Sequence, residues 1–474
     1  MKKLSKFLLV LLAFIYAGDI YAQGNTTSSI GGNVYDKDSQ SLPGATILAV
    51  HTPSGTRYTA STDYTGNFRI SNMRVGGPYR IVITFIGFKP FEDNDVYLQL
   101  GDSKDFKVNL QEESNELQEV VVTATRDNTF NSQRTGAQTV INSDKIKALP
   151  SLSRNISDFA RLTPSAQLRG DDILSIGGQN NRFNAIYIDG AVSNDVFGLA
   201  SNGTNGGQTG VSPISIDAIE QFQVSVAPYD VKLSGFAGGA ISAITRSGTN
   251  NFEGSAYFFN RNESLAGKTP PSLAGTNGRQ KLADFSAQTY GARAGGAVIQ
   301  DKLFYFINYE RQDNETPQPF DPSTYTGLSG NRIGELLTKL DGFGYNPGSF
   351  NNNTRTLVSD KLIAKVDWNI NDDHKLSVKH SYVKAENFSP NRSSATAINF
   401  INGSQLFSST TNSTTFELNS RFGNKFSNNL VVAYTDVLDD RDASGDPFPT
   451  VQIVDGATQS IYFGSEGFST ANFL

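Results

Sequence analysis

Hydrophobic and polar residues alternate with a period of two along much of the chain, which predicts β-strands rather than helices. The clearest case is the stretch 362–370, where the even-numbered residues are apolar and most of the odd-numbered ones are polar. A turn at 371–373 leads to a second alternating strand at 376–382, so these two strands form a predicted hairpin. Two further hairpins are predicted, which pair 288–299 with 303–309 and 416–422 with 430–434. The pattern predicts a mainly β protein with an antiparallel C-terminal region.

The N-terminal part has shorter strands, each ended by Gly, Pro or Asp. They are predicted at 31–36, 42–50, 67–71, 79–86 and 106–110. This spacing predicts an antiparallel β-sandwich over residues 23–111. His51 has no obvious partner in the sequence, and we interpret it as a surface or edge residue. The acidic stretch 36–40 is interpreted as a solvated turn, because it lacks the glycine and the distal glutamate of a calcium loop.

Residues 127–247 have a different pattern. Apolar residues three and four apart predict short helices at 143–149, capped by Ser143, and at 155–162, before Pro164. Strands are predicted at 173–176, 185–189 and 221–226, which makes this a small α+β domain. The Gly-, Asn- and Thr-rich stretch 201–210 is predicted to be a flexible surface loop.

Composition and the N-terminal residues restrict the cellular location of the protein and the kinds of partner it can have. Three lysines precede the apolar run 7–17, and Ala22 closes a plausible cleavage site, so residues 1–22 are predicted to be a signal peptide. No later run approaches the length of a membrane helix. The chain has no cysteine, which excludes disulfides and thiolate metal sites within it. A net charge of −6 argues against nucleic acid as a partner.

A short β-branched run, Glu-Val-Val-Val-Thr-Ala-Thr-Arg at 119–126, separates the sandwich from the α+β domain. Its valines and threonines favour an extended backbone, but no neighbouring turn folds a partner strand onto it. Two interpretations remain open from composition. The run is either a linker or edge strand, or a docking strand that adds to the sheet of another protein.

This run resembles the TonB box of TonB-dependent outer-membrane receptors of the Bacteroidetes type, and the segment 235–250 resembles the Oar-like branch of that family. The segments 175–184, 186–190 and 235–250 resemble parts of the receptor plug, and 32–88 resembles the carboxypeptidase-regulatory-like domain that precedes many such receptors. The resemblance implies that a short strand pairs with TonB, namely Glu119, Val120, Val121, Val122, Thr123 and Ala124.

The resemblance also implies a domain order. It consists of a signal peptide (1–22), the β-sandwich (23–111), the TonB box and its linker (112–126), the plug (127–247) and a partial transmembrane antiparallel β-barrel (248–474). Arg169, Asp189 and Arg246 are the residues predicted to hold the plug in the barrel. The implied function is uptake of an unknown extracellular ligand across the outer membrane, with TonB and its inner-membrane motor as partners. No catalytic residue, cofactor or metal is implied.

The predicted barrel is incomplete. Residues 248–474 contain about 8–10 candidate strands by turn counting, whereas plugged transporters close with about 22. Long polar stretches at 266–279, 312–359 and 386–411 alternate with short turns, as in outer-membrane barrels. We therefore expect this sequence to be the N-terminal part of a longer receptor.

Two other functions are compatible with parts of the pattern. One is a secreted or surface-anchored multi-domain β-adhesin without transport, and the other is a cell-surface hydrolase whose sandwich binds carbohydrate. The hydrolase would need paired carboxylates or a nucleophile with its base, and the sequence shows neither. Asp189 could act as a base, but Asp189-Gly190 is also an ordinary turn signal. His374 and His380 are interpreted as structural.

Overall fold

The computed structural model describes residues 24–113, 137–149, 151, 154–169, 173–195, 198–200, 202–226, 233, 235–273, 278–328 and 332–465. The predicted signal peptide at 1–22 and the predicted docking strand at 119–126 lie outside these residues.

The N-terminal domain is a sandwich of two sheets, as predicted. Its strands are β1 (Ser28–Tyr35), β2 (Thr46–His51), β3 (Thr56–Ser61), β4 (Asn67–Met73), β5 (Gly76–Thr84), β6 (Phe91–Leu98) and β7 (Ser103–Asn109). One sheet has the order β4-β1-β7 and the other the order β3-β2-β5-β6. Ile30, Ile47 and Tyr79 are fully buried between them.

Three details of this domain differ from the prediction. The strands β3 and β6 were not predicted, because their alternation is carried by Thr, Tyr, Asp and Glu rather than by aliphatic residues. The sandwich is not wholly antiparallel, since β1 and β7 pair in parallel. His51 is a core residue rather than a surface residue, with 4% of its area exposed.

The position of His51 follows from the period of its strand. Ile47, Ala49 and His51 alternate along β2 and all three are buried, so the period of two could have placed the histidine in the core. Its Nδ1 lies 2.7 Å from the Ser54 hydroxyl, and its ring packs 5.0 Å from that of Tyr79. Burial, and then the charge of Arg74, lowers the pKa of His51 well below 6.5. His51 is therefore a neutral core side chain at physiological pH.

The second domain has the predicted α+β composition. It contains β8 (Ala137–Asn142), α1 (Ser143–Ala148), α2 (Ile156–Ala160), β9 (Ala166–Arg169), β10 (Ile173–Ile176), β11 (Ala185–Ile188), β12 (Ala191–Val192), β13 (Ile219–Val226) and β14 (Gly239–Thr245). Five strands form one sheet in the order β12-β11-β14-β13-β8. Phe159, Phe222 and Ile241 belong to its buried core.

Two local predictions for this domain are wrong. Helix α1 is capped by Asn142, whose side chain accepts a hydrogen bond from the Lys145 backbone N–H, and Ser143 is already its first residue. Within the stretch 201–210, Gly207–Thr209 form a turn of 3₁₀ helix, and Thr209 is fully buried. This stretch is packed because the strands of the next domain cover it, which its own composition does not reveal.

The described residues of the C-terminal part form ten strands. They are β15 (Glu253–Asn262), β16 (Ser286–Ile299), β17 (Leu303–Pro319), β18 (Asn352–Asn369), β19 (His374–Ser389), β20 (Ala397–Asn399), β21 (Gln405–Phe422), β22 (Phe426–Ala443), β23 (Val451–Val454) and β24 (Ser460–Phe463). Seven of them form an antiparallel sheet, the wall, in the order β15-β16-β17-β18-β19-β21-β22. All three predicted hairpins are confirmed. The first and last wall strands do not pair with each other, so the described sheet is barrel-like and open.

The wall has its apolar side outward. Leu362, Val366 and Trp368 on β18 are 40%, 46% and 41% exposed, whereas Lys361 and Lys365 on the other face are 3% and 8% exposed. The same inversion occurs on β17, where Ile307 is exposed and Asn308 is fully buried. Water would favour the opposite arrangement. An apolar outer face and a polar inner face are typical of a barrel that spans a lipid bilayer.

Two of the long polar stretches between the wall strands, 312–359 and 386–411, contain strands and a helix in their described residues, so they are not simple loops. Strands β17 and β18 extend to Pro319 and Asn352, and the remainder contains helix α3 (Ile333–Asp341) and the sheet β20-β24-β23. We call residues 320–328, 332–351, 390–404 and 444–465 the outer cap. They share a buried core in which the rings of Tyr345 and Phe448 stack 3.9 Å apart. The polar composition of these stretches concealed this core.

The described residues include no helix long and apolar enough to cross a membrane.

A charge on the outer face of β18 tests the membrane assignment. We expect Leu362→Arg in the full-length protein to weaken folding into lipid by about 2–4 kcal/mol, because it places a guanidinium in the hydrocarbon core. Asn352→Arg is the matched control, since Asn352 is exposed near the outer end of the same strand. The measurement is the free energy of folding into lipid vesicles, followed by heat-modifiable migration on a gel. Equal effects of the two substitutions would contradict a lipid-facing wall.

Candidate functional site

The buried interface between the α+β domain and the wall contains two clusters of charged side chains. On the α+β side it begins at the turn Asp189-Gly190, which joins β11 to β12. Both turn residues have positive φ angles, 47° and 79°, as a tight two-residue hairpin turn requires. Asp and Gly tolerate this conformation better than most residues. The predicted turn is therefore present, and it directs the Asp189 carboxylate into the interior, where 5% of the residue is exposed.

The Asp189 carboxylate binds partners from two domains. Its Oδ2 lies 2.9 Å from Nζ of Lys379 on wall strand β19. Within its own domain it accepts hydrogen bonds from the Thr245 backbone N–H at 2.8 Å and from the Thr245 hydroxyl at 2.7 Å. Lys365 of β18 lies beside them and donates to the Thr245 carbonyl at 3.4 Å. Every acceptor of the buried carboxylate therefore faces a donor, as a buried charge requires.

The environment keeps Asp189 ionised. Burial by itself raises the pKa of a carboxyl group, but the charges of Lys379 and Lys365 and the two hydrogen bonds from Thr245 outweigh it. The pKa of Asp189 consequently lies well below 3.8. A carboxylate held this firmly in the charged form is a poor general base at neutral pH. The arrangement suits an electrostatic contact between two domains better than proton transfer.

A second buried cluster is centred on Glu310 of wall strand β17. Its Oε1 lies 3.0 Å from Nζ of Lys361, and both side chains are 3% exposed. Its Oε2 accepts hydrogen bonds from the Ser215 hydroxyl at 3.0 Å and the Tyr257 hydroxyl at 2.8 Å. Ser215 belongs to the α+β domain, so this cluster also crosses the interface. Arg154 lies over the rings of Tyr257 and Phe259, 5.1 and 4.1 Å from their centroids.

The two other predicted site residues make different contacts. Arg246 donates to Glu220 at 3.1 Å and to the Asp217 carbonyl at 3.1 Å, both in the α+β domain. It follows Thr245 in the chain, so it lies next to the Asp189 cluster. The backbone of Arg169 ends strand β9, where it pairs with Ile173. The side chain of Arg169 lies outside the described part of the chain.

Several interface residues were not among the predicted site residues. Glu310, Lys361, Lys365 and Lys379 supply the wall side of both clusters. Each is a charged residue on the inward face of an alternating strand, where it would meet another domain instead of water. Nearer the outer side, Asn387 of β19 donates to the Thr209 carbonyl at 2.8 Å. The sequence shows that these residues are charged and lie on one face of their strands. It does not show their partners, which depend on tertiary packing.

The remaining histidines have single hydrogen-bond partners in the wall. His374 Nδ1 lies 3.0 Å from the Ser420 hydroxyl, and His380 Nδ1 lies 3.0 Å from the Thr414 hydroxyl. Within the part of the chain that the structure describes, no group of three His, Cys, Asp or Glu side chains could hold a metal ion.

Comparisons with known families cover most of the described chain. Residues 29–111 match the carboxypeptidase regulatory-like domain, residues 131–241 match the TonB-dependent receptor plug domain, and residues 244–331 match an outer membrane beta barrel domain. The domain with the Asp189 turn is therefore the one that matches the plug, and the wall begins within the barrel match.

Two individual proteins are similar over a large part of the chain. The TonB-dependent transporter Oar of Myxococcus xanthus is 27% identical over 326 residues, which are 64% of this chain and 28% of Oar. The crystal structure of the outer membrane transporter YddB from Escherichia coli has a TM-score of 0.51 at 14% identity, over 70% of this chain and 43% of YddB. The second likeness shows the fold alone. The chain spans less than half the length of either relative.

Proposed function

We propose that this chain, whose domains match those of TonB-dependent receptors of the outer membrane, serves in uptake of an extracellular ligand, with energy delivered by TonB to the plug. The observation that carries this proposal is the inverted wall with a plug on its inner face. Lys361, Lys365 and Lys379 face the plug, while Leu362 and Val366 face outward. A barrel filled by a separate polar domain suits a gated passage through a membrane.

The proposed assignment of domains keeps the boundaries of the sequence analysis. Residues 1–22 act as a signal peptide, 23–111 as a periplasmic sandwich, 112–126 as the TonB box with its linker, 127–247 as the plug and 248–474 as part of the barrel. TonB pairs with the strand Glu119–Ala124 by adding its own strand to the extended backbone. The family matches to three of these domains support the order.

The plug–wall ion pairs have a role in this proposal. In the resting receptor, Asp189–Lys379 and the Glu310 cluster with Ser215 hold the plug against the wall. Tension from TonB on the chain before β8 loads the plug sheet, because among the described strands β8 lies at the edge of that sheet and pairs with β13 alone. Opening the passage then requires these buried contacts to rearrange. The outer cap lies at the end of the wall strands that is opposite to the short turns. There it forms a folded rim that contacts the extracellular ligand.

Cell fractionation of the full-length native product separates this proposal from a secreted adhesin. We expect the protein in the outer-membrane fraction, resistant to extraction by salt and high pH, because an apolar outer wall needs lipid. An outer-membrane porin serves as the marker of that fraction. Recovery in the culture medium or the soluble periplasm would contradict the receptor assignment.

A further inference from the structure

The sandwich domain is seated on three consecutive hairpin turns of the wall. Asn250 lies beside the turn between β16 and β17, where its side chain accepts a hydrogen bond from the Asp301 backbone N–H at 2.8 Å. The backbone N–H of Asn250 donates to the Pro53 carbonyl of the sandwich at 2.8 Å. Near the turn between β18 and β19, the amide of Asn369 donates to the Thr56 hydroxyl at 2.9 Å. Beside the turn between β21 and β22, Asn72 donates to the Asn428 carbonyl at 3.0 Å. The domain therefore spans the end of the wall that has the short turns.

The sandwich also touches the plug. The backbone N–H of Gly24 donates to the Gly190 carbonyl at 3.2 Å, directly beside the Asp189 turn. Val75 and Leu100 of the sandwich form a small buried cluster with Ile244 of plug strand β14. The cavities at this junction are small, with volumes of about 100 and 160 Å³. The sandwich thus covers the end of the plug that faces the short turns.

The seat is mostly polar and incompletely packed. Arg421 donates to the Thr59 carbonyl, and Lys375 Nζ lies 4.4 Å above the Tyr58 ring. Between these contacts a cleft of about 830 Å³ separates the sandwich strands β3 and β4 from the wall turns. An interface that is polar and incompletely packed resembles a transient contact more than a permanent one. These contacts fix the position of the sandwich on the wall. Because they are mostly polar, separating the two surfaces would expose little apolar area.

The plug sheet is held together by backbone pairing and by an apolar core. Strand β8 is joined to β13 by an antiparallel register of six residue pairs, Asn142↔Gln221 to Ala137↔Val226. The adjoining plug core is apolar and buried. The proposed TonB strand lies in the sequence between the sandwich and β8, so tension there acts on both.

We propose that the sandwich is a cover for the inner mouth of the barrel, seated on three wall turns and the plug, which tension on the strand Glu119–Ala124 lifts before the plug sheet yields. This inference rests on the proposed function, because it takes TonB as the source of the tension. The sandwich domain thereby has a mechanical role in transport. Passage of a ligand then requires two ordered events, removal of the cover and rearrangement of the plug.

Single-molecule pulling on the full-length receptor in a supported membrane tests this order. The tip is joined by azide–alkyne chemistry to an azide-bearing residue in place of Val121, so that attachment does not depend on TonB. The seat is locked in the variant Thr56→Cys with Asn369→Cys, whose side chains are hydrogen-bonded in the native chain. A bis-methanethiosulfonate reagent joins the two thiols, and dithiothreitol cleaves the link. Residues 1–474 contain no native cysteine to compete, and any cysteine elsewhere in the full-length receptor is replaced by serine.

We expect a low-force event followed by a high-force event in the unlinked receptor. Cross-linking should remove the low-force event, and dithiothreitol should restore it. The matched control is Ser413→Cys with Thr435→Cys, whose hydroxyls lie 2.9 Å apart on neighbouring wall strands, and its cross-link should leave both events unchanged. A low-force event that survives the Thr56–Asn369 link, or is missing before linking, would overturn the cover. Failure of TonB pairing would leave these traces unchanged, so the two proposals fail separately.

Discussion

Replacing Val121 by proline in the full-length receptor is expected to abolish energised uptake while leaving ligand binding at the outer face intact. If the strand Glu119–Ala124 adds to the sheet of TonB, its backbone N–H and C=O groups supply most of the affinity. Proline removes one donor and obstructs the ladder. Leaving one partner group unsatisfied costs about 1–3 kcal/mol, which weakens TonB binding by about 5- to 150-fold. The direct measurement is retention of the purified receptor on immobilised periplasmic TonB domain, together with growth that depends on the receptor.

The control at the same position is Val121→Thr, which keeps the donor and the preference for extended backbone. It should bind TonB and support growth nearly as well as the native chain. Full growth with Val121→Pro would mean that this run is only a linker. Equal loss of ligand binding and uptake would mean that it belongs to the folded plug.

The domain plan could be predicted because each domain has its own periodicity. The wall hairpins follow from strict alternation around Asn371–Asp373 and Gly423–Ser427, and the structure places both turns there. Alternation alone could not show which face of the sheet points outward, since the strands of a soluble sandwich alternate in the same way. The exposed Trp368 and the buried Lys365 show which side faces outward. The resemblance to a membrane receptor had implied that orientation before the structure displayed it.

The outer cap shows where sequence periodicity stops being informative. Its core residues, such as Tyr345, Ile398 and Phe463, come from three stretches that are distant in the chain. Each stretch alone has too few apolar residues to predict a buried element. Only the wall, which brings the outer ends of β17, β18, β19, β21 and β22 side by side, makes them neighbours. Long-range assembly of this kind leaves almost no local signal.

The plug–wall interface was predictable in part. Asp189 was singled out because it ends an apolar strand next to Gly190, and the structure gives it an ion pair with the wall. Lys379 could be placed on a polar face from the sequence, but its partner lies 190 residues earlier in the chain. No periodicity connects positions so far apart. The pairing depends on how the plug sits against the wall, which is a property of the folded receptor.

Asp189→Asn is expected to loosen the plug by about 3–5 kcal/mol, because removing one member of a buried ion pair leaves the other charge uncompensated. Lys379 and Lys365 would then face a neutral amide in a site closed to water. Asparagine tolerates the positive φ of this turn, so the backbone can keep its native course. The measurement is native-state hydrogen exchange of the β13 and β14 amides in the purified full-length receptor, which reports the free energy of local opening.

A double variant separates lost pairing from lost packing. Asp189→Asn combined with Lys379→Met removes both members of the pair, and it should restore part of the stability that Asp189→Asn alone loses, because only the charge of Lys365 then remains without the carboxylate. Glu92→Gln is the exposed control, since Glu92 and Arg80 are paired 3.1 Å apart with about half of each side chain exposed. It should change exchange by no more than about 0.5 kcal/mol. If Asp189→Asn changed exchange as little as Glu92→Gln, the buried pair would not be what holds the plug against the wall. If the double variant were no better protected than Asp189→Asn alone, the lysine charge left without its carboxylate would not be what loosens the plug.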